Sequence, residues 1–598
     1  MRRLAFLGFT VAFLAFGGCG THGIGFGDDG GADGSGVDTG LDVNISFPDV
    51  TQPDAPMCTQ CSADLHSILT CGADPTLIQT CTGDTGCGSM GCEAACQAAA
   101  DNKSSVGCDY YSMPSDGWNT NMGTDGTPGS CFAAYVANNW SSDMTISLVW
   151  KGTTINGNDY AYTPTGSGSS ITYTPIPSTG IPPNSMAIVF INTYQATCPS
   201  CGEYTPCPAG TKVAVTSEDM VIHSTSVGNA VEIQTSVPAT IYDIYPYGGA
   251  RSYIPSATLL LPTTAWDVNY VATTMSETII DDPQELPTFI SLVAQQNGTQ
   301  ITVLPTVAIV AGTGVTGAAA NTPVTYSLNA GQLIHLVQPP NSATSDLTGS
   351  IIQSNYPIGL WGGHVCETAQ TESNMLPTWR IVGAVDGTTL TYDPPNAMAP
   401  ATLKEGQFLE FQAPAAFHVV SQDSSHPFYL AAHRPAGDCD SAHQQIPPVK
   451  ALGNEYVAID NESTNYEEGG PETVNVVPPA QFLPSYIFFT DPTYGYTEIA
   501  LTRQKAPDNT FHDVTVDCVG TVTGWLPVGT SGQYEYVHVD LESAGASVGK
   551  CSNGLHTASS TIPFGITVWG YDSAASYAYP AGASVKPINT VVVPPTPH

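Results

Sequence analysis

The chain has 598 residues, enough for about three to four domains. Charged residues make up only 11%, against roughly 25% in ordinary soluble domains. With 14 Lys+Arg against 52 Asp+Glu, the formal net charge is -38, a field that repels phosphate backbones and anionic lipid heads and argues against a nucleic-acid partner.

The N-terminus, MRRLAFLGFTVAFLAFGGCG, begins with a positive segment, Arg2 and Arg3. An apolar run from Leu4 to Phe16 follows, too short for a membrane span of roughly 20 residues. Small residues then lead to Cys19. This resembles a bacterial lipoprotein signal peptide over 1–18, cleaved before Cys19, with lipid attached to that residue. A plain secretory signal with an incidental Cys19 is the alternative. Lipidation predicts a protein anchored to a membrane rather than threaded through it. Gly20 stands where an Asp retention signal would stand, so the expected location is the cell envelope, at the outer membrane of a Gram-negative bacterium and facing outward.

Residues 19–57 form a Gly/Asp/Pro-rich tether with too few apolar groups to build a core. Its DDGGADGSGVDTG run lacks the alternating ligand spacing of calcium loops and reads as a solvated spacer.

Seven of the 17 cysteines crowd into the next segment, 58–97: Cys58, Cys61, Cys71, Cys81, Cys87, Cys92 and Cys96. An exported segment with few large side chains needs disulfides to hold a shape. CTQC lacks a second pair at zinc spacing, so disulfides are expected there too. Seven is odd, so one cysteine must pair outside. Candidates are Cys108, Cys131, Cys198, Cys201 and Cys207. Further along, Cys518 and Cys551 flank a predicted strand and form the simplest local pair.

Residues 98–585 read as a β-repeat domain, followed by a tail at 586–598. Three pieces recur. The first is a pair of alternating strands: FAAYVANNWSSDMTISLVW (132–150), FISLVAQQNGTQITVLP (289–305), RIVGAVDGTTLTYDP (380–394) and IFFTDPTYGYTEIALT (487–502). Phe289, Ser291 and Val293 point to one face, Ile290, Leu292 and Ala294 to the other. Asn297-Gly298 and Asp386-Gly387 predict type I′ hairpin turns between the paired strands.

The second piece is a strand entered through a Gly-Gln turn, at 328–337, 403–411 and 530–539, with a looser first copy at 181–191. The third is a strand led by a Ser/Pro corner: SVPATIYDI (236–244), SNYPIGLWGG (354–363), SSHPFYLAAH (424–433) and STIPFGITVWG (560–570). Proline is expected at the strand's start, where no ladder hydrogen bond is lost. The fold class is therefore all-β, with tandem repeated antiparallel modules built as small sandwiches or propeller-like blades, preceded by the disulfide-rich segment. Uneven spacing between copies argues against a regular propeller.

Chemistry-bearing motifs are sparse. GASVG (545–549) matches a nucleophile elbow but has no helical pattern after it. The stretch WGGHVCETAQ (361–370) is richer. His364 and Cys366 end the third piece of repeat two, while His433 and Cys439 follow the same piece of repeat three, with His443 nearby. Two Cys and two His suit tetrahedral zinc, and Cys366 with His364 suits a nucleophile and its base. In an oxidising compartment the preferred reading is a Cys366–Cys439 disulfide between modules, with zinc as the weaker alternative and no cofactor expected.

Four stretches, ATLLLPTTAWDVNYVA (257–272), DLTGSIIQSNYPIGLWGGHVC (346–366), AHQQIPPVKALGNEYVA (442–458) and IPFGITVWGYDSAASYAYPAG (562–582), resemble the N-terminal domain of the IgGFc-binding protein family, its bacterial lipoprotein members in particular. The resemblance spans about 100–585. It implies an exported, non-enzymatic binding or adhesion protein, held to the membrane by its lipid, with an extracellular protein or glycan as partner. A structural envelope or matrix component is the second reading. The resemblance does not imply IgG binding by this chain and carries over no binding residue.

Overall fold

In a computed structural model, the described residues are 58–596, apart from 63, 73–74, 116–128, 167–169, 196–203, 252–254, 275–286, 340–345, 368–377, 435–441, 447–452, 460–471 and 573–574. Among them one α-helix, Ala95–Asn102, stands against strands throughout. No helix is long and apolar enough to cross a membrane.

Each module is organised by one long strand, here called its spine. The spines are Val231–Tyr245, Ile351–Glu367 and Gly554–Asp572 in modules one, two and four, and the split pair Phe417–Ser421 and Phe428–Arg434 in module three. In module two, Thr288–Ala294 pairs with spine residues 358–364, and Thr299–Leu304 pairs with 351–354. These two strands were expected to pair with each other as a hairpin. Instead they lie on either side of the spine in one eight-stranded sheet, each bonded to a different stretch of it. In modules one and three, too, the two strands bond different stretches of the spine. Gly298 and Gly387 take φ of 74° and 76°, but Asn297 and Asp386 stay out of the left-handed region, so neither turn is type I′.

The fourth expected pair needs a second correction. Residues 487–502 span Leu483–Thr490 and Tyr496–Gln504, both of which pair with the module-four spine. The counterpart of Thr299–Leu304 there is the later strand Val514–Val516.

Each spine crosses from one set of partners to the other through a short unpaired stretch. The crossing residues 236–238, 355–357, 422–427 and 561–563 have no partner in the strands on either side. Pro238, Pro357, Pro427 and Pro563 sit there. Except in module three, proline is thus inside a strand rather than at its start. The physical reason is the one expected, because a missing N–H costs nothing where the ladder is interrupted.

The strands bonded to the two halves of a spine close over a shared core. In module two, Ile290 and Leu292 beside one half pack with Ile301, Val303 and Tyr326 beside the other. The Gly-Gln turns carry their glycines at positive φ, 75° at Gly331, 66° at Gly406 and 64° at Gly532. In module one Asn184 takes that place at 52°, since asparagine tolerates the left-handed region better than most residues.

A tyrosine clamp fixes every crossing. The clamp strands are Gly107–Ser112, Asp267–Val271, Glu455–Ala458 and Leu483–Thr490. Tyr270 donates to the Ile358 carbonyl at 2.8 Å while accepting from the Asp267 amide at 2.6 Å. Tyr456 does the same with Phe428 and Gly453, and Tyr486 with Phe564 and Leu483. In module one Tyr110 donates to Ala239 and is bonded by the backbone of Gly107. In all four, the accepting carbonyl belongs to the residue after the crossing proline. Tyr270→Phe strands a buried amide and a buried carbonyl and should cost about 1–3 kcal/mol in urea unfolding. Tyr356→Phe, at a 39% exposed residue, should change stability by less than about 0.5 kcal/mol.

The modules close into a ring. Four joint strands, Ser256–Leu259, Ala442–Ile446, Glu472–Asn475 and Ala575–Pro580, each pair with one spine. Each also packs on its two neighbours, the last on the first. Three lead along the chain into the clamp strand of the next module. Module three's first strands are inserted between the spine of module two and its joint strand, and this insertion makes the repeat spacing uneven. Sandwich and blade therefore combine: each module is a small sandwich, and the four are arranged as a propeller is.

The fourth joint is not continuous in sequence. Residues after Ala575–Pro580 meet the chain just before the first clamp strand. Ser105 donates to the Ala583 carbonyl, and Val585 to that of Lys103, each at 2.8 Å, around a Ser104–Ser584 bridge. Beyond it the tail reaches modules two and three. Val593 exchanges two hydrogen bonds with Asn269, at 2.7 and 2.8 Å, and packs with Val271, Ile351 and Tyr429.

Candidate functional site

The cysteine-rich segment is docked beside this closing joint. Its disulfides are Cys58–Cys71, Cys61–Cys87 and Cys81–Cys92. The seventh cysteine, Cys96, bonds Cys108 on the first clamp strand and so bolts the helix to module one. Noncovalent contacts converge on Trp140. The His66 ring lies tilted against the Trp140 ring at 4.3 Å, and the Trp140 indole N–H donates to the Gly83 carbonyl. A Cβ at Gly86 would lie 2.7 Å from that ring, so glycine is required for the close approach.

Where this segment, module one and module four meet, a cleft encloses about 280 Å³. Asp64 and Leu65 come from the cysteine-rich segment, Asn139, Trp140 and Asn184 from module one, and Pro484, Ser485 and Ser559 from module four. The walls are mixed, with apolar Leu65, Val106, Trp140, Leu483 and Ile487 beside polar Asp64, Asn102, Asn139, Asn184, Ser485 and Ser559, as ligand sites commonly are. Asn139 donates through Nδ2 to Thr240 Oγ1 at 2.7 Å, but its buried Oδ1 has no partner among the described residues. A buried acceptor without a donor is costly, and a ligand donor would relieve it. Sequence reasoning did not find this cleft. Its one signal was Trp140, a large aromatic inside the polar loop NNWSS.

The other sequence-predicted residues fall as follows. Cys131 bonds Cys207, and Cys518 bonds Cys551. Cys19, Cys198, Cys201 and Cys439 lie outside the described residues, as do the side chains of Cys366 and His443. His364 is buried on the module-two spine between Thr288 and Gln444. His433 lies on the module-three spine, with Nδ1 2.9 Å from Thr473 Oγ1. The neighbouring glycine has a packing reason: a Cβ at Gly362 would lie 1.8 Å from the Thr273 carbonyl oxygen. Trp361 meets Trp266 edge to face.

One donor cluster, Asp517, Cys518 and His556, has metal-like spacing among the described residues. The Cys518 sulfur is spent in its disulfide and offers no thiolate. What remains is an Asp517–His556 contact at 3.1 Å. Ser547 of GASVG lies in an exposed two-residue strand, Ala546–Ser547, with no helix following, so the elbow geometry is missing.

Module one also carries buried and half-buried carboxyls. Asp243 accepts from Ser112 Oγ, and burial pushes its pKa up to about 7. Glu232 is pushed up to about 7 by burial and by Asp109 beside it, and Asp109 is itself raised by burial. Groups raised on folding stabilise the protein below their unfolded pKa of about 4 and lose that contribution as pH rises through the folded value. The melting temperature should therefore fall between about pH 4 and pH 7. Asp243→Asn should flatten the slope, as checked by thermal scans across that range.

Modules two to four match known proteins. The IgGFc binding protein family matches residues 256–376, 367–435 and 458–570. The first stretch opens at the joint strand Ser256–Leu259 and the third ends in the module-four spine. Module one ahead of that joint strand, included in the sequence-based resemblance, lies outside the matched stretches. A human protein named IgGFc-binding protein is 25% identical over 272 residues, which is 40% of this chain and 4% of that protein. The chain thus covers a small part of that relative's length.

Proposed function

Modules two to four belong to the IgGFc binding protein family, and from that footing we propose that this chain is an exported binding protein that captures an extracellular partner. The observation that carries the reading is the cleft at the closing joint, with its unpartnered Asn139 acceptor among mixed walls. Lipid on Cys19 anchors the protein at the outer membrane. The signal-like N-terminus, the acidic tether and the dense disulfides support export, surface exposure and adhesion. No catalytic role is proposed. The exposed Ser547 and the disulfide-bound Cys518 support that reading.

The test is capture from envelope and matrix fractions by the lipid-free chain, beside a Ser559→Trp variant that fills the cleft. Wild type should retain a partner and the variant should lose it. Equal retention by both would remove the cleft from the account. No retention by either would favour a purely structural envelope component. Proteolysis of intact cells tests orientation, and complete protection would contradict an outward-facing protein.

A further inference from the structure

Modules three and four meet across a second cavity, of about 210 Å³. Its lining is polar and aromatic throughout: His418 and Glu455 from module three, and Gln504, Lys505, Ser531, Gln533 and Tyr534 from module four. The His418 ring stacks on Tyr534 at 5.2 Å. The Glu455 carboxylate ties the two together, accepting from His418 Nε2 at 2.8 Å and from the Tyr534 hydroxyl at 2.7 Å. The His418 hydrogen bond holds Glu455 below its ordinary carboxyl range, so it is ionised at neutral pH.

Both bonds end on Oε1. Among the described residues Glu455 Oε2, the side-chain amides of Gln504 and Gln533 and the Lys505 ammonium have no hydrogen-bond partner. The rim is held in place. Asp393 of module three accepts from the Thr530 amide and hydroxyl and from the Ser531 amide, at 2.7–3.0 Å. A wall fixed before binding loses less entropy when a ligand arrives.

The free groups define the ligand. A carboxylate oxygen accepts, an ammonium donates, and two carboxamides each do both. Glu455 balances Lys505, so neither a strong anion nor a strong cation is favoured. No aliphatic wall is present to hold an apolar molecule. We propose that this cavity binds a single uncharged sugar ring of a glycan, whose neighbouring hydroxyls alternate between donor and acceptor in the same way. The inference rests on the reading of the chain as a binding protein and names a second site for it.

Saturation-transfer NMR of the full chain with the methyl β-glycosides of galactose, glucose and N-acetylglucosamine tests it. At least one glycoside should receive saturation, and Gln504→Ala with Gln533→Ala should weaken its binding at least tenfold with an unchanged circular-dichroism melt. Lys505→Met, on the same rim, should also weaken it. No saturation of any glycoside by wild type, or binding undiminished in the double variant, would overturn the proposal. The Ser559→Trp capture assay reads the other cleft. Partner capture without glycoside binding therefore defeats the sugar site alone, whereas failed capture by wild type defeats the broader reading.

Discussion

Deleting residues 573–598 should destroy the cooperative fold of the ring. The deletion removes the joint strand Ala575–Pro580, whose Tyr577 and Tyr579 are each 1% exposed. Tyr242 loses the Ala581 carbonyl to which its hydroxyl donates, and Ser105 loses Ala583. Truncating even one buried large aromatic typically costs about 3–5 kcal/mol, comparable with much of a domain's stability of about 5–15 kcal/mol. Removing two buried aromatics and the joint strand that packs module four against the joint strand of module one exceeds that margin. The expected result is a broadened urea transition and dye-binding apolar surface. Deleting only 586–598 keeps the joint and removes Val593 from between modules two and three, so the transition should stay cooperative with a lower midpoint. Equal behaviour of the two deletions would contradict a ring closed at 575–585.

Arg380→Met should cost about 3–5 kcal/mol, measured as a loss in urea unfolding. Arg380 is fully buried and joins modules two and three. Its NH1 donates to Asp346 at 2.7 Å, to Thr348 Oγ1 at 3.1 Å and to the Thr274 carbonyl. Nε and NH2 both reach Glu410 Oε1, at 2.9 and 2.6 Å. The Asp346 side chain is itself fully buried, so methionine would leave a buried carboxylate with no counter-charge. Arg380→Lys keeps the charge but has no planar fork to serve Asp346 and Glu410 together, so most of the loss should persist. Asp346→Asn should cost less in the Arg380→Met background than alone, because the two residues act as one unit.

What the sequence made legible was local. Gly331, Gly406 and Gly532 marked real turns because positive φ depends on the residue itself. The Ser/Pro corner marked a real irregularity, since proline removes a donor wherever it stands. Pairing was less legible. Asn297-Gly298 reverses the chain, but it does not decide which neighbour a strand bonds, and the spine takes both. The clamp went unseen because each tyrosine acts on a carbonyl far along the chain. In module three the order is reversed, with Tyr456 after Phe428. The cleft was hidden for the same reason, being built from segments as far apart as 64, 140, 184, 485 and 559. The WGGHVC stretch looked like chemistry because Trp, His and Cys are chemical residues. On the spine, Trp361 and His364 are buried, and the glycine between them admits the Thr273 backbone.

Amide hydrogen exchange tests ring closure most directly. In the intact chain, Ser105 and Val585 should exchange as slowly as the amides of the sequence-continuous joint strands Ser256–Leu259 and Glu472–Asn475, because they close the same ring. Fast exchange at Ser105 and Val585, with the other joints still protected, would mean that modules one and four are not joined. Both the ring and the cleft at its seam would then fall.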